Sequence, residues 1–132
     1  MDLYKIVVVL WIFVIACLHI RMYQTGQVAK HANRSRTAVM RHTVTARYLL
    51  IATLLLVFLI EGGVLINGRS GRDVVFWVHL VFAIAYTLSI VVLYFWYNGM
   101  THPNHKYLAY FAMANYAIVA CIGIPMLYKR FA

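Results

Sequence analysis

The chain has 132 residues, 64% of them hydrophobic and only 11% charged, with a net charge of +9. That composition lies outside the range of soluble domains and leaves no length for a separate one. It also argues against nucleic acid as a partner, because the basic residues flank apolar segments, where Lys and Arg meet lipid phosphates and fix topology.

Four apolar stretches follow one another: Leu3–Ile20, Tyr48–Ile66, Val74–Tyr97 and Tyr107–Tyr128. Each comes near the ~20 residues a helix needs to cross ~30 Å of hydrocarbon. The expected fold is all-α, an up-down bundle of four transmembrane helices forming one domain over residues 1–132 in a lipid bilayer. No internal repeat, low-complexity tract or Ser/Pro linker divides it.

The first stretch opens on Met1-Asp2-Leu3-Tyr4-Lys5, too weakly basic for a secretory leader. Val14-Ile15-Ala16-Cys17 resembles a lipoprotein cleavage box, but the residues after it stay apolar, so this span is expected to be retained. Cys17 and Cys121 fall at different depths. A disulfide is not expected, and both read as buried thiols used as small apolar side chains.

Between the first and second spans lie Arg21, Lys30, Arg34, Arg36, Arg41 and Arg47, with no acid among them. This segment can continue a helix or form a short surface helix. Gly62, Gly63, Asn67-Gly68 and Ser70-Gly71 predict a tight turn after the second span. Asn98-Gly99 opens the next turn. Thr101 or Asn104 can cap the fourth helix, with Pro103 tolerated in its first turn. Pro125, after Gly123, is expected to weaken that helix near its end.

The opposite side carries Lys5, Arg69, Arg72, Lys129 and Arg130, diluted by Asp2, Glu61 and Asp73. The positive-inside rule then places Arg21–Arg47 and Asn98–Lys106 in the cytoplasm and both termini outside, as in a bacterial or archaeal inner membrane. Ala83, Ala85, Thr87 and Ser89 on span three, and Ala109, Ala112, Ala114, Ala117, Ala120 and Gly123 on span four, predict close contact between those helices. Tyr4, Trp77, Trp96, Tyr97, Tyr107 and Tyr128 sit at span ends and fit an aromatic belt. Asn115 and Tyr116 read as hydrogen-bonders between helices.

The histidines carry the strongest hint of chemistry. His19, His42, His102 and His105 belong to the cytoplasmic end, and neutral imidazoles suit transition metals and haem iron. They form a candidate metal site, with Met22 and Met40 as nearby soft donors. His31 lies in the basic segment and reads as solvated. His79 sits in the other half of the bilayer, with Ala83 and Tyr86 continuing its face. It is a second candidate ligand, or a structural hydrogen-bonder to Glu61, the one acid inside an apolar run. No Ser-His-Asp set and no glycine-rich phosphate loop is present.

Arg41-His42 precedes a span, and Gly68–Arg72 precedes Phe76-Trp77-Val78-His79-Leu80. Farther on come His105-Lys106-Tyr107-Leu108-Ala109-Tyr110 and Ile122-Gly123-Ile124-Pro125-Met126-Leu127-Tyr128. In these segments the chain resembles a family of small bacterial membrane proteins of unknown function, some of them linked to assembly of haem-copper cytochrome oxidases. The likeness covers roughly Arg41–Lys129; at the N-terminal end the family often has more sequence or further spans. The resemblance implies that His42, His79 and His105 are the functional histidines, holding haem b or a transition metal (copper, iron or zinc). More loosely, histidines at two depths are similar to those of a di-haem four-helix cytochrome b.

The function expected from the sequence is a histidine-dependent haem- or metal-binding membrane protein in respiratory electron transfer or oxidase assembly. One alternative is a non-catalytic helical accessory subunit of a larger complex, with membrane-protein partners or as a homo-oligomer. A third is a small transporter with Glu61 as its coupling residue.

Overall fold

The computed structural model describes residues 3–67, 74–96 and 103–130, leaving aside the side chains of residues 61, 64–67 and 130. Four helices run in order: α1 Leu3–His31, α2 Arg36–Asn67, α3 Val74–Phe95 and α4 His105–Arg130. All four are long and apolar enough to cross a membrane. Thr101 and the glycine turn from Gly68 to Gly71 lie outside the described residues.

The basic segment between the first two spans is mostly helix. At 1.5 Å per residue, the 29 residues of α1 and 32 of α2 extend to about 44 and 48 Å. Hydrocarbon accounts for only ~30 Å, so this hairpin carries its basic end well past the apolar zone. Apart from Gly26, the segment from Arg21 to His31 has no strong helix breaker, and α1 simply continues.

The hairpin closes in a short turn. Arg34 N–H donates to the Ala29 carbonyl (2.7 Å), and Asn33 and Arg34 both take left-handed φ values of 50° and 58°. Asparagine tolerates that region through local hydrogen bonding, whereas arginine enters it at a steric cost. Ser35 then caps α2, its Oγ accepting from Ala38 N–H at 3.3 Å and its carbonyl from Val39 N–H at 3.0 Å.

At the start of α4 the Asn104 carbonyl accepts from Leu108 N–H (3.0 Å), as a cap requires, and Pro103 stands in the turn before the helix rather than within it. Pro125 does not end α4, which continues to Arg130. The proline removes one N–H from the ladder, a loss that membrane helices accommodate through small backbone adjustments.

Helix α1 packs along α2 and α3 along α4, as the small residues of spans three and four predict. The two hairpins join through narrower α2–α3 and α1–α4 contacts. The result is an up-down four-helix bundle. Three side chains lock α1 to its neighbours by donating to backbone carbonyls: Tyr4 to Leu59 (3.2 Å), Trp11 to Ala52 (2.8 Å) and Tyr116 to Ile12. Tyr116 thus bonds between helices as expected, but Asn115 turns back to the Phe111 carbonyl of its own helix (2.8 Å).

The core is built from Ile15, Leu49, Leu50, Ala52, Tyr86, Ile90 and Ala112. Large apolar side chains such as Leu10, Phe13, Phe58, Val81 and Leu88 point outward, as a lipid-facing surface requires. Among the belt aromatics, Trp77, Trp96, Tyr107 and Tyr128 are exposed at helix ends. Cys17 and Cys121 are free, as expected, but both are exposed on the outer surface instead of buried. Helix rotation, which the sequence does not specify, decides that difference.

Candidate functional site

At the end of the bundle where α1 turns into α2, a cavity of about 350 Å³ opens between all four helices. Its wall includes His19 from α1, His42 from α2 and His105 from α4. Three of the four histidines assigned to this end therefore line one cavity; His102 lies outside the described residues. Lys30, Arg34 and Lys106 stand around the same cavity, and no carboxylate among the described residues lines it. Met22 and Met113 contribute thioethers to the wall, while Met40 is exposed elsewhere.

His42 is 6% exposed, and its surroundings fix its protonation pattern. The Thr25 hydroxyl has a single proton, which the Arg21 carbonyl (2.9 Å) and the Met22 carbonyl (3.1 Å) share as acceptors. Its oxygen is left to accept from His42 Nδ1 at 3.0 Å. Neutral His42 then carries its proton on Nδ1 and a bare lone pair on Nε2. That Nε2 is buried and has no hydrogen-bond partner among the described residues.

Gly26 makes this placement possible. A Cβ there would stand 3.3 Å from His42 Cε1 and 3.6 Å from Nδ1, so any side chain would crowd the ring. Across the cavity the His105 ring lies edge-on to His42, with centroids 6.0 Å apart. Metal–nitrogen bonds of about 2.0–2.1 Å put the centroids of two imidazoles sharing one ion about 5–6.5 Å apart. The observed separation falls in that interval.

His19 faces a different set of partners. Its Nε2 shares a hydrogen bond of 2.9 Å with the Tyr86 hydroxyl, which also meets Thr53 Oγ1 at 3.2 Å. The Tyr116 ring packs against both, with centroids 4.9 Å from His19 and 5.4 Å from Tyr86. This polar chain runs from the cavity wall into the apolar core. Tyr86→Phe removes the shared hydroxyl and strands a buried imidazole nitrogen and a buried threonine. The expected loss is about 1–3 kcal/mol, read by unfolding in mixed micelles, whereas Thr53→Val leaves the His19–Tyr86 bond and costs less.

The remaining sequence candidates lie elsewhere. His79 sits on α3 at the opposite end and is packed so closely on Gly123 that a Cβ there would stand 2.7 Å from its Cε1. Tyr86, expected to extend the His79 face, spends its hydroxyl on His19 and Thr53. The Glu61 side chain, proposed as the partner of His79, lies outside the described residues, as do Arg69 and Arg72. His31 is exposed.

Among the described residues, no group of three or more His, Cys, Asp or Glu converges at metal-ligand spacing. The site is a two-imidazole arrangement with thioethers nearby. Thr25 and Gly26 beside His42, and Thr53 beside Tyr86, are residues of the candidate site and its polar chain that the sequence reading missed. The contact depends on α1 and α2 both extending through the basic segment, where Thr25 comes opposite His42.

Comparison with family models, curated proteins and solved structures finds no match to this chain.

Proposed function

We propose that the protein is a histidine-dependent haem- or metal-binding membrane protein, with His42 and His105 as the ligand pair. The observation that carries this reading is the buried Nε2 of His42, without a hydrogen-bond partner among the described residues, on a residue of the cavity wall whose other ring nitrogen is held by the Thr25 hydrogen bond. A metal-ligating histidine characteristically spends its other ring nitrogen on such a bond, which fixes tautomer and orientation. A lone pair is satisfied by a Lewis acid or by a hydrogen-bond donor, and the facing His105 ring favours a shared metal ion.

Two imidazoles with thioethers at hand suit haem iron or copper(I), since zinc usually takes four protein ligands in structural sites. Bound there, such a group supplies one-electron redox chemistry. The chain's own residues orient His42 through Thr25, leave it room through Gly26, and restrict water with the apolar walls of Leu49, Ile90 and Ala112. The charge bias places this end of the bundle in the cytoplasm and both termini outside. Respiratory electron transfer or oxidase assembly is the setting that the resemblance of Arg41–Lys129 supports.

Thr25→Val keeps the side-chain shape but removes the acceptor for Nδ1–H. It should weaken metal or haem affinity about 10- to 100-fold, while Thr25→Ser retains it. Titration of the purified protein with haem and with copper(I) measures this. Equal affinity in wild type and Thr25→Val would show that Nε2 of His42 is not the ligand atom.

A further inference from the structure

We infer that the mouth of the same cavity binds the phosphate of an anionic phospholipid, one acyl chain of which lies along the cavity's apolar wall. Lys30 at the end of α1, Arg34 in the hairpin turn and Lys106 in the first turn of α4 come from three separate parts of the chain to one opening. Among the described residues no carboxylate lines that opening. Three like charges gathered without a counter-charge repel one another, and an anion among them removes that cost.

The depth of the site points to a lipid. Lys106 immediately precedes the apolar run at Tyr107, so the α4 side of the opening stands at the headgroup layer, where phosphates reside, and the long Lys30 and Arg34 side chains approach it from the extended hairpin. Below the cations the wall turns apolar through Leu49, Ile90, Leu93 and Ala109. Cations above and hydrocarbon below match an amphiphile rather than an inorganic ion. Arg34 lines the opening from a left-handed backbone conformation that arginine seldom adopts (φ 58°).

This inference does not rest on the metal reading, because His42 and His105 form the cavity's histidine pair while the cations form its rim. Native mass spectrometry in mild detergent, with phosphatidylglycerol and phosphatidylcholine of identical chains as probes, tests it. One phosphatidylglycerol per chain should be retained at least tenfold more tightly than phosphatidylcholine. The Lys30→Gln/Arg34→Gln/Lys106→Gln variant should lose at least tenfold of that affinity, each cation near a membrane surface contributing about fivefold. Lys30→Arg/Arg34→Lys/Lys106→Arg should keep it. Arg21→Gln/Arg41→Gln, which removes cations of the same end that do not line the cavity, should leave binding unchanged.

Equal retention of the two lipids, or unchanged binding in the triple glutamine variant, overturns the inference. Equal loss in the Arg21/Arg41 variant would also overturn it, by making the attraction diffuse. Displacement of the lipid by equimolar inorganic phosphate would assign the cations to a free anion instead. His42→Ala/His105→Ala should retain the lipid, which separates this result from the fate of the metal site.

Discussion

Replacing His42 with alanine should abolish haem or metal binding, and His105→Ala should do nearly the same, while His79→Ala leaves it intact. His42, in the cavity wall, has a buried Nε2 without a hydrogen-bond partner among the described residues, and His105 is the ring that faces it at 6.0 Å. His79 lies at the other end of the bundle, against Gly123. The family resemblance groups the three histidines; the structure divides them two to one. Metal or haem content per chain, measured on each purified variant, checks the division. Loss in His79→Ala equal to that in His42→Ala would move the site to the opposite end.

The second large effect concerns the core beneath the cavity. Ile15→Ala should destabilise the bundle by about 2–4 kcal/mol, and Phe13→Ala, two residues earlier on the same helix, by less than about 0.5 kcal/mol. Ile15 is 0% exposed and packed in the central cluster, whereas Phe13 is 67% exposed toward lipid. In a bilayer the solvent is itself hydrocarbon, so the difference is packing and not transfer from water. Burying Ile15 gains dispersion contacts that lipid chains match poorly, while Phe13 exchanges one hydrocarbon neighbour for another. Unfolding of both variants in mixed micelles gives the comparison directly. Equal losses would mean that α1 is rotated from the orientation described.

Much of this architecture is legible in the residues alone. Four apolar runs with short connections can hardly form anything but four spanning helices, because lipid leaves no other way to satisfy the backbone. The grouping of His19, His42 and His105 at one end also follows from counting residues along the spans. What the sequence conceals is rotation and register. Hydropathy places Cys17 within an apolar span but cannot tell the lipid-facing side from the bundle interior, since both are apolar; the cysteine proves exposed.

The basic segment hides more. Charges at Arg21, Lys30, Arg34, Arg36 and Arg41 mark a polar stretch that helix or loop could equally accommodate. Only when α1 and α2 both run through it do Thr25 and Gly26 come opposite His42. Tyr86 gave a similar difficulty. Helical spacing from His79 puts it on a shared face, but its hydroxyl is claimed from across the bundle by His19 and Thr53, a contact that depends on the packing of α1 and α2 against α3.

A dithionite-reduced minus oxidised spectrum, with metal analysis on the same gently purified wild-type protein, tests the His42–His105 site most directly. The expected result is about one haem or copper per two-histidine site, with a Soret band if the iron is held in haem, and its disappearance in His42→Ala. Colourless, metal-free protein that takes up neither haem nor copper(I) on titration would contradict it, leaving the bundle as a helical accessory subunit whose cavity serves lipid alone.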